Sequence, residues 1–217
     1  MNGDYVANME QVLDLYGAEC PENTARLCFD ERPCQLIEDV YIPIKMKEGK
    51  VKKIDCEYKR NGTASLLMVY DIDQGLRYGE IHDRRTKKEF SEFMDRLEVR
   101  YDHVDKLIIV LDNLNTHKYG SFYEFLQLDR AAALRKKIEF VYTPKHGSWL
   151  NMIEIEFAAL SKQCLNRRIP SKERLDKEFQ SWQEKRNEKK VKISWSFTVP
   201  KARDKMASHY IKVCNAI

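Results

Sequence analysis

Apolar residues recur every three or four positions at Val6, Met9, Val12, Leu13 and Tyr16, the period of one helix face, and Gly17 follows as a stop. Arg26-Leu27-Cys28-Phe29 is a short apolar run closing on Asp30-Glu31, and Pro33 bars its continuation as an inner strand, so a first strand ending at an acid is predicted. The β-prone runs Val40-Tyr41-Ile42, Leu66 to Tyr70 and Tyr78 to His82, broken by Gly49, Asn61-Gly62 and Gly75, predict successive antiparallel strands. Thr86-Lys87-Lys88-Glu89 has the form of a capping box, after which Phe90, Phe93, Met94, Leu97 and Tyr101 line one helical face. Lys106 to Leu111 is continuously apolar after its first residue, as a strand buried on both faces is, and Asp112-Asn113 closes it.

A further helix is predicted over Tyr119 to Leu128 and a strand over Glu139 to Tyr142, stopped by Thr143-Pro144. Gly147-Ser148 leads into a helix with Leu150, Ile153, Phe157, Leu160 and Cys164 on one stripe. Beyond Pro170-Ser171 comes a charged helix with Leu175, Phe179 and Trp182 inward, then a terminal helix around Ala202 to Val213. The order of strands, helix, strand, helix, strand and helices predicts an α/β domain, a mixed central sheet flanked by helices. A ribonuclease H-like fold fits that order.

The 217 residues, 43% hydrophobic and 33% charged, allow one sizeable core. A net charge of +4 is too small to announce a nucleic-acid partner, so any such affinity must come from local patches. Six cysteines without a C-x-x-C pair read as reduced thiols of a cytosolic protein. The polar start and the absence of any long apolar run predict a chain that neither enters a membrane nor is exported.

In an open α/β sheet the working residues gather beyond the carboxyl ends of the parallel strands, and Asp30 and Asp112 each close such a strand. On neighbouring strands their backbones would be ~5 Å apart, and two carboxylates that close repel unless a cation lies between them. Oxygen ligands with open positions for water and phosphate suit Mg²⁺ or Mn²⁺, and two such ions serve phosphodiester chemistry. Each acid also has a bland reading, because an Asp after a strand commonly forms a turn or caps a helix. Glu154 and Glu156 both fall roughly 80° from the centre of their helix's apolar stripe, so periodicity leaves the third acid open between them.

Leu27 to Glu31, Val110 to His117 and Thr143 to Glu154 resemble the three acidic motifs of bacterial insertion-sequence transposases of the mariner superfamily. The likeness runs through nearly the whole chain, including Arg60 to Ala64 and Cys164 to Pro170, and the proline loop before Asn-x-x-Glu is its most specific part. It implies a DDE catalytic domain over residues 25–190, with a leading helix and linker over 1–24 and a helical extension of the same domain over 191–217. It further implies two divalent ions, Mg²⁺ or Mn²⁺, held by Asp30, Asp112 and Glu154, cleavage at element ends and joining of the 3′ hydroxyl to target DNA. The resemblance, not helix geometry, prefers Glu154 to Glu156. It also suggests a homodimer on paired DNA ends and a cytoplasmic, nucleoid-associated bacterial protein.

Asn113 and His117 belong to the second motif and are candidates for DNA contact, with a structural hydrogen bond the plainer role for His117. Lys145 and His146 beside the third acid and Arg167-Arg168 are candidate phosphate contacts, as is the Lys45, Lys47, Lys50, Lys52, Lys53 cluster, although surface lysines are usually only solvated. Trp149 is expected to pack the helix start rather than stack on a base. Only 29 residues precede Asp30, where such transposases usually carry a helix-turn-helix region. The chain is therefore expected to be an excised piece, a split-frame product or a decayed copy that needs that region for end recognition. A host nuclease of the same fold and an inactive product that binds DNA or transposase are the alternative functions.

Overall fold

The computed structural model describes residues 2–41, 48–49 and 55–214. Its centre is a five-stranded sheet in the order β3-β2-β1-β4-β5, with β1 Thr24–Asp39, β2 Tyr58–Asp71, β3 Leu76–His82, β4 Lys106–Leu111 and β5 Ile138–Tyr142. The first three strands form an antiparallel meander, and β4 and β5 join β1 in parallel, so the sheet is mixed as expected. The Val40-Tyr41 part of the predicted strand run lies beyond the end of β1, and Ile42 and the lysines between 45 and 53 fall outside the described residues.

β1 does not stop at Asp30. It continues past Pro33, which pairs in register with Ser65 of β2. The expectation failed because β4 covers β1 only as far as Cys28 opposite Val110. Past that point, among the described residues, β1 has a strand partner on one side only, and a proline without an N–H is tolerated on such an edge. Asn61-Gly62 likewise does not break β2. Gly62 takes φ +96, and the β1–β2 register shifts between Gln35 and Ile37, so the glycine serves an irregularity inside a continuous pair.

Alternation along the strands sends Cys28, Cys34 and Leu36 to one face and Ala25, Leu27 and Phe29 to the other. The first face packs against α1 Gly3–Gly17, α5 Ile153–Gln163, α6 Lys172–Glu188 and α7 Val199–Lys205, through Met9, Val12, Phe157, Leu160, Phe179 and Ala202. The second packs against α2 Lys87–Arg100, α3 Tyr119–Phe125 and α4 Leu128–Lys137. Thr86 caps α2 in the predicted box. One helix was expected after β4, but Leu126 and Gln127 are extended and divide it into α3 and α4. The terminal helix is also divided, into α7 and α8 Ala207–Cys214.

The charged helix α6 reaches the sheet at Gly79 of β3, where a Cβ would stand 2.6 Å from the Phe179 ring and 2.9 Å from the Leu67 carbonyl oxygen. Only a bare backbone admits that ring. Gly79→Ala is expected to cost about 1–3 kcal/mol by overpacking, read as a lowered denaturation midpoint with an unchanged slope.

Candidate active site

The parallel ladder of β1 with β4 ends at Cys28 opposite Val110, and Asp30 and Asp112 follow two residues beyond each. Both therefore leave the sheet at one level and on the face that carries α5. Asp30 is largely buried and accepts a hydrogen bond from the Glu31 backbone N–H at 2.7 Å. Among the described residues it has no cationic partner. Burial, followed by the charges of Asp112, Glu31 and Glu154, pushes its pKa up to about 7 against the opposing backbone hydrogen bond. Asp112 and Glu154 thus stand close enough to Asp30 to oppose its ionisation. No three His, Cys, Asp or Glu groups among the described residues converge tightly enough to enclose an ion as the side chains stand.

The segment before α5 is fastened to β1. The Asn151 side chain is buried, its Nδ2 donates to the Phe29 carbonyl at 2.9 Å, and its Oδ1 accepts from the Ile153 N–H at 3.4 Å. The Asn151 carbonyl in turn accepts from Glu154 N–H at 3.1 Å, and Tyr16 Oη donates to the Leu150 carbonyl at 2.9 Å. One amide therefore ties the start of the third-acid helix to the residue before Asp30. Ahead of it, the Pro144 to Gly147 turn closes on a Gly147 N–H to Pro144 carbonyl bond of 2.8 Å. A Cβ at Gly147 would meet Pro144 Cγ at 2.6 Å, which explains glycine there.

Glu154 is exposed on the site side of α5, whereas Glu156 is fully buried. Arg77 Nε and Nη2 meet Glu156 at 2.7 Å each, and Arg186 Nε and Nη2 at 2.9 and 2.8 Å. Burial raises the Glu156 pKa, but the two guanidiniums outweigh it and hold the carboxyl below its usual range. With both oxygens committed to arginines, Glu156 is removed as an alternative third acid. Its charge pairing is a core feature.

His117 is also buried completely, so it does not meet DNA. Its Nδ1 lies 2.6 Å from Asp112 Oδ1 and its Nε2 2.9 Å from Glu31 Oε1. Two carboxylate acceptors require both ring nitrogens to donate, which is the charged form. Burial works against that charge, yet the bonds to Asp112 and Glu31 prevail and push the pKa up to about 9. Glu31 had no assigned role in the sequence. The available signal was its place beside Asp30 in a strand, which sends it to the opposite face.

Asn113, Lys145 and His146 share a cleft of about 730 Å³ with Asp4, Tyr5 and Asn8 of α1, which Asp30, Asp112 and Glu154 do not line. His146 adopts φ +63, in the left-handed region. Arg167 and Arg168 are not in that cleft. Arg167 pairs with Glu178 and the Cys164 carbonyl. Arg168 meets Asp39 at 2.6 Å and the carbonyls of Asp55 and Glu57 at 2.8 Å each, so it braces the β1–β2 arm and its donors are committed. Trp149 stands edge-on to Phe197, in the segment before α7, at 5.5 Å, with 41% of its surface still open.

Residues 25–176 match the description DDE superfamily endonuclease. The fold matches the Mos1 mariner paired end complex with Mn at 13% identity and TM-score 0.57, covering 100% of this chain and 64% of that one. It also matches the Mos1 transposase paired-end complex with left transposon end at 14% and 0.59, covering 88% and 59%. A third match is the catalytic domain of Mos1 mariner transposase at 14% and 0.55, covering 88% and 94%. At these identities the likeness is one of fold, ribonuclease H-like as expected. The chain spans under two thirds of the length of the first two. No curated protein matches it.

Two outcomes follow from the charges. Glu156→Ala leaves two guanidiniums facing a buried gap and is expected to cost ~3–5 kcal/mol in chemical denaturation, while Glu154→Ala leaves stability nearly unchanged. For Asp30 the folded pKa lies above the unfolded one, so stability falls as pH rises from the ordinary carboxylate range to about 7 and stays low above it. Asp30→Asn should therefore raise the metal-free melting temperature at about pH 8, by a stability gain on the order of 2–4 kcal/mol, and change it little at about pH 4. An equal effect at both pH values would refute the raised pKa of Asp30.

Proposed function

The chain belongs to the DDE superfamily endonucleases, and from that premise we propose that it is the catalytic part of a DNA transposase that cuts element ends and joins them to target DNA. The observation that carries this reading is the grouping of Asp30, Asp112 and Glu154, which gathers negative charge where the parallel ladder ends, with no Lys or Arg paired to them among the described residues. Carboxylates in such numbers are held together by a cation. The donors are all hard oxygens, so the set fits Mg²⁺ or Mn²⁺, and one or two ions would draw the side chains inward with substrate phosphate completing the ligands. When bound, two such ions supply an activated nucleophile on one side of the phosphodiester and a stabilised leaving oxygen on the other.

The protein's own part is placement. Asp30 and Asp112 come from adjacent strands, and Glu154 stands on a helix whose rotation is set by buried Glu156 and whose start is tied to Phe29 by Asn151. The cleft that begins at Asn113, the residue after Asp112, would offer Lys145 and His146 to the DNA backbone. The solved relatives include DNA-end complexes and complexes with Mn and Mg, in keeping with DNA and divalent ions as partners here. The catalytic unit is assigned to 25–190, with 1–24 and 191–217 as its flanks. A homodimer on paired ends, an end-recognising helix-turn-helix region supplied in addition, and a cytoplasmic bacterial setting near the nucleoid complete the proposal. No helix among the described residues is long and apolar enough to cross a membrane.

Nicking of supercoiled plasmid in Mn²⁺ tests the site. Asp30→Ala, Asp112→Ala and Glu154→Ala are each expected to slow it by more than about 100-fold, beyond the loss that a merely supporting residue causes. Glu154→Ala retaining activity would reject the assignment. Joined-strand products on oligonucleotides separate a transposase from a nuclease that only cuts.

A further inference from the structure

Glu31 follows Asp30 directly, and alternation along β1 places the two carboxylates on opposite faces of the sheet. On its own face Glu31 is buried, with a side chain 3% exposed, and its hydrogen-bond partner is His117 Nε2. The imidazole sits among aromatic rings, 5.3 Å from Phe29 and 4.9 Å from Phe90 between centroids. Its backbone is held as well, since Tyr142 Oη donates to the His117 carbonyl at 2.7 Å. From that seat Nδ1 reaches round the end of β4 to Asp112 Oδ1.

Asp112 needs such a hold. Its side chain is one third exposed, it follows the last residue of a strand, and His117 is its hydrogen-bond donor among the described residues. Released, it would choose among several staggered rotamers. The geometry points to Glu31 as a positioning residue of the catalytic site: through His117 it holds Oδ1 of Asp112 and so fixes the rotamer in which Oδ2 would be free for a cation. This rests on the reading of Asp112 as a metal ligand. A carboxylate on the far face of the sheet thereby governs a ligand on the near one.

Crystals of the wild type and of Glu31→Ala, both soaked in Mn²⁺, separate the two ideas. In Glu31→Ala the ring should move off Asp112, the Asp112 carboxylate should rotate and the anomalous peak beside it should weaken. Half-saturating Mn²⁺ for plasmid nicking should rise by about 10–100-fold in Glu31→Ala and by less than about threefold in Glu31→Gln. The amide has the same reach and can accept or donate, so the ring stays anchored in either of its forms. Glu31→Asp, which withdraws the acceptor by one methylene, takes the place of Glu31→Ala if that variant does not fold. Leu97→Val, a core change on the same face, controls for lost stability and should leave the Mn²⁺ requirement alone. Asp112 and His117 unmoved without Glu31, or Glu31→Gln failing as badly as Glu31→Ala, or Leu97→Val shifting the requirement equally, would overturn the positioning role. A wild-type crystal with no Mn²⁺ peak would instead overturn the metal reading, and the Asp112 rotamer in Glu31→Ala would still decide the bracket.

Discussion

Parallel pairing of β1 with β4 puts two aspartates at one level and on one face of the sheet, and much of the surrounding structure answers to the repulsion this creates. A strand pair is rigid, so Asp30 and Asp112 have little room to separate. Burial, reinforced by the neighbouring charges, makes Asp30 hold its proton far above the ordinary range, and Asp112 shares its charge with a buried imidazolium. A fold that stores like charges in this way is primed for a cation. The same arrangement makes the metal-free protein less stable near neutral pH than its core alone would allow.

The third acid depends on a second constraint, the rotation of α5. Ile153, Phe157 and Leu160 turn its apolar stripe to the sheet, but a stripe alone tolerates some roll. Glu156 removes that freedom, because two arginines from β3 and α6 hold its carboxylate inside the core. Glu154, two residues earlier, is then directed to solvent at the strand ends. Buried ion pairs of this kind contribute little net stability against their desolvation cost, and their value here is orientation. Asn151 adds the position along the axis by fastening the helix start to Phe29.

The cationic residues divide by task. Arg26, Arg77, Arg168 and Arg186 are spent inside the molecule on carboxylates and carbonyls. Lys145 and His146 remain exposed in the cleft that Asn113 also lines. Arginine's planar fork suits the first task, and an exposed loop that passes close to the strand ends suits the second. A small net charge is therefore compatible with a DNA-directed site, since the charges that matter are local.

The element order, the capped α2, the buried β4 and the acids following the paired apolar runs of β1 and β4 were legible in the sequence, because each depends on neighbours a few residues apart. The choice between Glu154 and Glu156 was not, since both lie near the edge of the same stripe and only Arg77 and Arg186, 79 and 30 residues away, separate them. Pro33 misled for a related reason: whether a strand is inner or edge depends on where its partner ends, and β4 ends early. Arg168 read as a DNA contact until Asp39, Asp55 and Glu57 came to it through the fold. The sequence by itself determined which chemistry this chain carries, through residue types at local spacing. Only the tertiary structure decided which carboxylates face each other, which face arginine and that Glu31 reaches Asp112 through His117, because those choices are made by contacts between segments far apart in the chain.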